Sequence, residues 1–186
     1  MSTQVESLLT IDDLDAMPDD DNRYELIEGE LFVSCAPNLK HQRVFGSLFL
    51  NLNNYLSLNP LGEILATPGL ILSKHDGVIP DLVFIRNERR DEIAAGDRIT
   101  GAPDLVIEIV SPGAENEKRD RIAKRQLYGK YGVKEYGVVD PYQRTIEVYL
   151  LEGQRLKLQE AYSEKDELVS SVLPGFSCKV ESLFRT

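Results

Sequence analysis

The sequence lacks the features of several protein classes. It has only two cysteines, Cys35 and Cys178, which lie far apart and match no zinc-binding spacing. No apolar run approaches the roughly 20 residues that span a bilayer, so no transmembrane helix is predicted. Residues 1–21 are acidic and contain no basic segment followed by an apolar one, which excludes a typical secretory signal peptide. We therefore expect a cytoplasmic protein with free thiols and no membrane partner.

Positive charge is also scarce, because 21 Lys and Arg residues stand against 31 Asp and Glu residues, for a net charge of −10. Proteins that contact many phosphates usually present a basic face, so this balance argues against broad, tight nucleic-acid binding. A local basic cluster or a metal ion can still reverse the field at one site. One dense basic cluster is present, and it consists of Lys118, Arg119, Arg121, Lys124, Arg125 and Lys130.

The chain shows no internal repeat, low-complexity segment or flexible linker, so we predict a single domain over residues 1–186. Hydrophobic residues make up 42% of it, which is enough for a sizeable core. Residues 1–20 are expected to form a peripheral arm with a short helix. Thr10, with Asp13 three residues later, resembles a helix N-cap that would open this helix.

Hydrophobic periodicity predicts a mixed α/β order of elements. A β-hairpin over residues 24–34 would turn at Glu28-Gly29, and Asn38 would cap a long amphipathic helix that ends near Leu58. A second helix is predicted over residues 117–131, where Gly132 suits its carboxyl end. The predicted strands after the hairpin are residues 63–66, 70–73, 80–85, 103–110, 136–140, 144–151 and 154–162, and residues 86–102 are expected to form one or two turns of helix and a loop.

Two of these strands begin with Pro-Asp, and the second has an acid in its middle. They read Pro80-Asp81-Leu82-Val83-Phe84-Ile85 and Pro103-Asp104-Leu105-Val106-Ile107-Glu108-Ile109-Val110. A buried carboxylate destabilises a fold unless it is paired, protonated or bound to a metal. Because side chains alternate along a strand, Glu108 and Asp104 share one face while Ile107 and Ile109 share the other. If the Asp81 strand is its neighbour, three carboxylates would converge.

Such a group of carboxylates suggests a divalent cation. Close carboxylates repel one another and raise one another's pKa unless a cation neutralises them. Oxygen ligands without a nearby histidine or cysteine cluster favour a hard ion, Mg²⁺ or Mn²⁺. Such an ion activates water and stabilises the transition state of phosphoryl transfer.

The ordered motifs resemble the Uma family of endonucleases, which belongs to the PD-(D/E)XK restriction-endonuclease-like superfamily. The resemblance rests on GAPDLVIEIVSP at residues 101–112, YGVKEY at residues 131–136, YELIEGE at residues 24–30, and on Pro80-Asp81, His41, Asp120, Lys124, Tyr128 and Val139-Asp-Pro141. It covers roughly residues 20–180. It implies a restriction-endonuclease-like fold, with a central mixed β-sheet flanked by helices and an N-terminal β-hairpin.

The resemblance also implies roles for individual residues. Asp81 and Glu108 would bind the metal and act in catalysis. Asp104, which the alternation along the strand places on the face of Glu108, would be either a further metal ligand or a strand-start residue that satisfies local backbone amides. Val110 stands where the superfamily has lysine, and Lys124 from the following helix would replace that lysine. The accessory candidates are Glu25, His41 and Asp120.

The implied activity is that of a Mg²⁺-dependent (or Mn²⁺-dependent) endonuclease, with DNA as substrate by analogy of fold and a homodimer as the assembly. A catalytically inactive binding module with the same fold is the alternative. Other readings also stay open for single residues. Lys124 lies four residues after Asp120, as in an ordinary helical ion pair, and His41 is as well suited to capping or packing. Tyr136-Gly137 stands where the family has an aromatic pair, a change expected to affect packing.

Overall fold

The structure is a computed structural model that describes residues 8–185, without the side chains of residues 114 and 115. The first half of the chain forms α1 (Ile11–Asp15), β1 (Arg23–Ile27), β2 (Glu30–Ser34), α2 (Leu39–Leu58), β3 (Gly62–Ala66), β4 (Leu70–Ser73), β5 (Asp76–Val78) and β6 (Leu82–Arg86). The second half forms a 3₁₀ turn (Asn87–Arg89), α3 (Arg90–Ile93), β7 (Ile99–Thr100), β8 (Leu105–Ile109), α4 (Ala114–Lys118), a π-helical segment (Arg119–Lys124), α5 (Arg125–Tyr131), β9 (Glu135–Asp140), β10 (Thr145–Glu152), β11 (Arg155–Tyr162), β12 (Glu167–Val169), β13 (Ser177–Lys179) and α6 (Val180–Leu183). The order matches the prediction, with the short strands β5, β7, β12 and β13 and the short helix α6 added.

A six-stranded mixed sheet in the order β11-β10-β9-β8-β6-β3 forms the centre of the fold. Its inner strands β8 and β9 are parallel, and β6 runs antiparallel to β8. Leu82 pairs with Ile107, so the two strands that begin with Pro-Asp are direct neighbours. A second sheet, β2-β1-β5-β4-β7, includes the N-terminal hairpin. The sheet arrangement therefore brings the two acidic strands side by side.

The central sheet has an apolar layer on each face. Ile107 and Ile109 pack with Val44 and Leu48 of α2 in one cluster, as the alternation along β8 predicts. Val106 lies in the cluster on the opposite side. Each fully buried side chain of this kind contributes about 1.5–3 kcal/mol to folding. Glu108 lies on the same side as Val106, so its carboxylate points toward the helices after β8.

Local signals explain the hairpin and the long helix. Glu28 and Gly29 have φ values of 53° and 77°, as the two positions of a type I′ turn require. The side chain of Asn38 accepts a hydrogen bond from the amide of His41 and so caps α2. At the predicted arm, Thr10 and Asp13 form the expected capping box of α1, while residues 1–7 of that arm lie outside the described residues. Within residues 8–185, no helix is long and apolar enough to cross a membrane.

The helical stretch after β8 starts earlier than predicted and changes its winding. It begins at Ala114, passes through the π-helical segment Arg119–Lys124, and ends at Gly132, whose φ of 90° makes the expected left-handed cap. A π-helix bonds residue i to i+5, occurs mostly as a single turn inside an α-helix, and is frequent at functional sites. This segment buries Asp120 and Lys124 against the central sheet.

Candidate active site

The register between β6 and β8 places Asp81 beside Glu108. Asp81 directly precedes Leu82 and Glu108 directly follows Ile107, the residue with which Leu82 pairs. Asp81 Oδ2 also accepts a hydrogen bond of 2.8 Å from the backbone amide of Ile109. Both acids are only 4% exposed. The two strands thus hold the two predicted metal ligands at one place.

Lys124 joins this pair from the neighbouring helix. Its Nζ lies 2.9 Å from Glu108 Oε1, 2.8 Å from Glu25 Oε1 and 3.9 Å from Asp120 Oδ1. Lys124 is only 1% exposed, so its aliphatic stem and its ammonium group are both buried. A buried ammonium needs carboxylate partners, and here it has them. The structure therefore does not place Lys124 on the surface as an ordinary helical ion pair.

Glu25 and Asp120 are held in position by further contacts. Glu25 Oε1 accepts a hydrogen bond of 2.8 Å from the backbone amide of Ile79. The Nε of Arg119 donates to Asp120 Oδ1 at 2.9 Å, and a terminal nitrogen of Arg119 lies 3.9 Å from Glu25 Oε2. Arg119 was not a sequence candidate, although it belonged to the basic cluster and preceded Asp120. It gives the site a second positive charge.

Tyr128 is another site residue that the sequence candidates did not include. Its hydroxyl donates a hydrogen bond of 2.7 Å to Glu108 Oε1, the same oxygen that Lys124 contacts. Burial, with the nearby Glu108 carboxylate, raises the pKa of Tyr128 well above its ordinary value, so the phenol stays protonated and donates. Asp120, Lys124 and Tyr128 are spaced by four residues, a signal that places them on one helical face.

The electrostatics of the site favour an added positive charge. Burial raises the pKa of Glu108 to about 8; the Lys124 ammonium opposes this rise, and the charges of Asp120, Asp81 and Glu25 add to it. Burial likewise raises the pKa of Asp120. Burial alone would lower the pKa of Lys124, but the surrounding carboxylates outweigh it and raise that pKa. More acids than bases therefore share one buried volume, and a cation would relieve their repulsion.

His41 contacts the other metal-ligand candidate. Its Nε2 lies 3.1 Å from Asp81 Oδ2, so an Nε2–H would donate to that carboxylate and fix its orientation. Its Nδ1 is buried and has no hydrogen-bond partner among residues 8–185. The Asn38 cap fixes the first turn of α2, and this turn holds the His41 ring at the site. His41 therefore does more than cap or pack α2, because its ring also contacts a metal-ligand candidate.

Asp104 lies outside this cluster, contrary to the expected convergence of three carboxylates. Four residues along β8 separate it from Glu108, a distance of about 13 Å at the usual rise of a strand. Its carboxylate contacts Lys134 Nζ at 2.6 Å, the backbone amide of Arg86 at 3.0 Å and Arg89 at 3.4 Å. Burial alone would raise the pKa of Asp104, but these three partners lower it. A shared face did not bring Asp104 close, because the alternation fixes direction and not distance.

The cluster opens into a cleft of about 320 Å³. One wall is the segment from Val33 to Asn38, and the floor contains Asp81, Glu108 and Lys124. A larger groove of about 1440 Å³ lies between β2 and α5, but no predicted site residue lines it. We assign the chemistry to the smaller cleft, because it is there, within residues 8–185, that acids, a buried lysine and an unpartnered imidazole nitrogen meet.

The donor set suits a hard cation that the protein holds only in part. Among the described residues, no group of three or more His, Cys, Asp or Glu side chains is arranged to hold a metal alone. Mg²⁺ is usually bound by one or two carboxylates and completes its shell with waters and substrate phosphates. Asp81 and Glu108 supply two such carboxylates in the cleft. The residues present therefore fit this ion together with a phosphate substrate.

Tyr136 holds the π-helical segment in place. Its hydroxyl donates a hydrogen bond of 2.8 Å to the backbone carbonyl of Asp120, and its ring is fully buried on β9, beside the Glu108 strand. The wider winding of a π-helix changes the backbone pairing of its carbonyls, and here a side chain satisfies one of them. The position of Tyr136 therefore affects more than packing, because it sets how Asp120 and Lys124 face Glu108.

We expect Tyr136→Phe to weaken the site through this carbonyl. Loss of one intramolecular hydrogen bond costs about 0.5–1.5 kcal/mol of unfolding free energy. Urea denaturation measures that loss, and NMR chemical shifts of the Lys124 side chain report whether its ammonium leaves the carboxylates. Tyr149→Phe is the control, since the Tyr149 hydroxyl donates to the part-buried Glu147 instead. Equal stability losses and unchanged Lys124 shifts in both variants would refute the positioning role of Tyr136.

Comparisons with known proteins identify the fold and the family of the chain. A crystal structure described as a "putative nuclease belonging to DUF820" from Anabaena variabilis ATCC 29413 has a TM-score of 0.75 at 19% identity, over 95% of this chain and 97% of that one, which confirms the fold. The type IIG restriction endonuclease BpuSI aligns with a TM-score of 0.44 at 13% identity, over 77% of this chain and 15% of that one. No curated protein matches the sequence. The sequence model of the family Uma2, described as "Putative restriction endonuclease", matches residues 11–181, and the chain therefore belongs to that family.

Proposed function

We propose that the protein is a divalent-metal-dependent endonuclease that hydrolyses phosphodiester bonds in DNA. The observation that carries this proposal is the pairing of Asp81 and Glu108 on adjacent antiparallel strands, at the floor of a cleft and with Lys124 in contact. Membership of a family described as a restriction endonuclease supports the reaction class. DNA as the substrate rests on the same family description.

Each residue of the cluster has a role in this proposal. Asp81 and Glu108 would hold the ion, which supplies Lewis acidity and a more acidic bound water when it is present. Lys124 would orient the attacking water or stabilise charge on the scissile phosphate. Its ammonium is held in place by the carboxylates of Glu25 and Glu108. His41 holds the Asp81 carboxylate in place, and Tyr128 does the same for Glu108.

The cofactor is proposed to be Mg²⁺ or Mn²⁺, because the proposed ligands Asp81 and Glu108 offer carboxylate oxygens and His41 Nε2 is already hydrogen-bonded to Asp81. The charge of the ion would also offset the acid excess that raises the pKa of Glu108. A homodimer and a cytoplasmic location stay predictions of the sequence.

Incubation of supercoiled plasmid and of single-stranded circular DNA with Mg²⁺, Mn²⁺ or EDTA tests this function. We expect cleavage with either ion, none with EDTA, and none with Asp81→Asn at either ion. Circular DNA has no ends for an exonuclease to attack, so cleavage of either substrate distinguishes an endonuclease from an exonuclease. If the wild-type protein cleaves neither DNA at any metal concentration, the proposal fails and the binding-module alternative replaces it.

A further inference from the structure

The depth of the carboxylates restricts which form of DNA can react. Asp81 and Glu108 are each 4% exposed at the floor of a cleft of about 320 Å³, a volume near the lower limit of pockets for small ligands. A scissile phosphate must come within about 3–3.5 Å of the reacting groups. A single strand can bend one phosphate into such a cleft more easily than a stacked duplex can.

The charge of the protein also disfavours a broad duplex interface. Specific duplex interfaces bury about 1,000–2,500 Å² of protein surface and are strongly basic. This chain has a net charge of −10, and its arginines at the cleft, Arg23 and Arg119, are partly neutralised by Asp81 and Asp120. A single strand needs less basic surface than such a duplex interface, because stacking on aromatic rings supplies part of the binding beside the cations that contact its backbone.

An aromatic ring stands next to the cleft wall. Tyr142, in the turn between β9 and β10, is 48% exposed. Its hydroxyl accepts a hydrogen bond of 2.9 Å from the side chain of Asn38, which lines the cleft. The turn itself is fixed, since Asp140 Oδ1 accepts from the amides of Tyr142 and Gln143 at 2.8 and 2.9 Å. The ring is therefore held in position without being buried.

Positive charge accompanies this ring. Lys40, in the first turn of α2, has its ammonium 4.3 Å from the centre of the Tyr142 ring. Arg43 lies three residues later on the same exposed side of α2. A base on the ring would leave its phosphates within reach of these cations. An exposed aromatic with adjacent cations is the arrangement by which proteins bind single strands without sequence preference.

We propose that the substrate is single-stranded DNA, and that Tyr142 is the platform on which a base beside the scissile phosphate stacks. This rests on the proposed function of the cleft. Tyr142 takes no part in the chemistry, and it acts by holding the strand across the cleft mouth. Every base has a π face, so the platform selects unpaired strands and not a sequence.

Binding in EDTA tests the platform without cleavage. Fluorescence anisotropy measures the Kd of a labelled mixed-sequence oligodeoxynucleotide, alone and annealed to its complement, at fixed low salt. We expect tighter binding of the single strand, a loss of about 5- to 150-fold with Tyr142→Ala, and a similar loss with Tyr142→Leu, which keeps apolar surface but no ring. Tyr142→Phe should stay within about twofold, because the stacking face remains.

Tyr24→Ala is the matched control, since its hydroxyl bonds to Asp20 and its side chain does not line the cleft. Tighter binding of the duplex, or equal Kd values for wild type and Tyr142→Ala, would overturn the proposal. Cleavage in Mn²⁺ is scored separately. Binding that depends on Tyr142 without any cleavage would refute the endonuclease function but support the stacking role of Tyr142. Cleavage with equal Kd values for wild type and Tyr142→Ala would support the endonuclease function but refute the stacking role.

Discussion

Glu108→Gln is expected to abolish DNA cleavage while the fold stays intact. The variant replaces a metal-binding carboxylate with a neutral group of the same shape, and its amide oxygen can still accept from Lys124 and Tyr128. The loss of the carboxylate should lower kcat on the order of 10³-fold or more, because it removes both metal affinity and charge stabilisation. Single-turnover cleavage of single-stranded circular DNA at saturating Mn²⁺ measures the effect.

The same variant should change how stability depends on pH in the metal-free protein. Burial raises the pKa of Glu108 to about 8 in the folded protein, whereas an unfolded glutamate titrates near its ordinary value of about 4.3. Between these values the folded state binds more protons than the unfolded state, so the free energy of unfolding falls as pH rises. The stabilisation that Glu108 contributes to the folded state is fully present below about pH 4.3 and is lost as the pH rises through about 8.

Denaturation in urea with EDTA, at intervals from pH 5 to pH 8, measures this slope. We expect the wild-type protein to lose stability toward pH 8 and Glu108→Gln to lose less, so the variant gains relative stability as pH rises. Glu135→Gln is the matched control, since Glu135 is also buried but bonds to Ser171 outside the cleft. Full cleavage by Glu108→Gln, or identical pH slopes for variant and wild type, would contradict the assigned role of Glu108.

Local signals in the sequence were sufficient to predict most of the fold. The hairpin needed only Glu28-Gly29, and α2 needed only the Asn38 cap and its apolar spacing, because each depends on contacts within a few residues. The short strand β5 was missed, since three residues give no periodicity, and its pairing with β1 and β4 is a long-range effect. Glu108 was identified because a charge inside an apolar strand is a local anomaly.

The rest of the site depends on distance and winding, which a single sequence does not encode locally. Asp104 and Glu108 share a face, but the rise of the strand separates them, and Lys134 and Arg89 neutralise Asp104 instead. Lys124 was identified through the family resemblance, but its burial beside Glu108 depends on the winding of the π-helical segment, which no short sequence pattern indicates. The bond from Tyr136 to the Asp120 carbonyl joins residues that no short motif connects.

Lys124→Met should produce the largest loss of stability of any substitution in the cleft. Methionine is similar in length but removes the ammonium that contacts Glu25, Glu108 and Asp120. Removal of one partner from a buried charge cluster costs about 3–5 kcal/mol of unfolding free energy, because the remaining carboxylates stay buried without compensation. Cleavage should also be lost, since no other ammonium contacts Glu108 in the described structure.

The pH dependence separates this charge effect from a packing defect. Without the ammonium, the carboxyl groups of Glu108 and Asp120 would titrate at still higher pH, because the nearby positive charge that lowers their pKa is gone. The variant should therefore be most destabilised at pH 8 and should recover toward wild type near pH 5, where Glu108 is protonated. Urea midpoints across this range, with EDTA present, provide the measurement.

Lys130→Met on the next turns of the same helical stretch is the control; it breaks an exposed contact to Glu28 and should cost less than about 1 kcal/mol at every pH. A constant deficit for Lys124→Met from pH 5 to pH 8 would show that shape, and not the buried charge, makes Lys124 important.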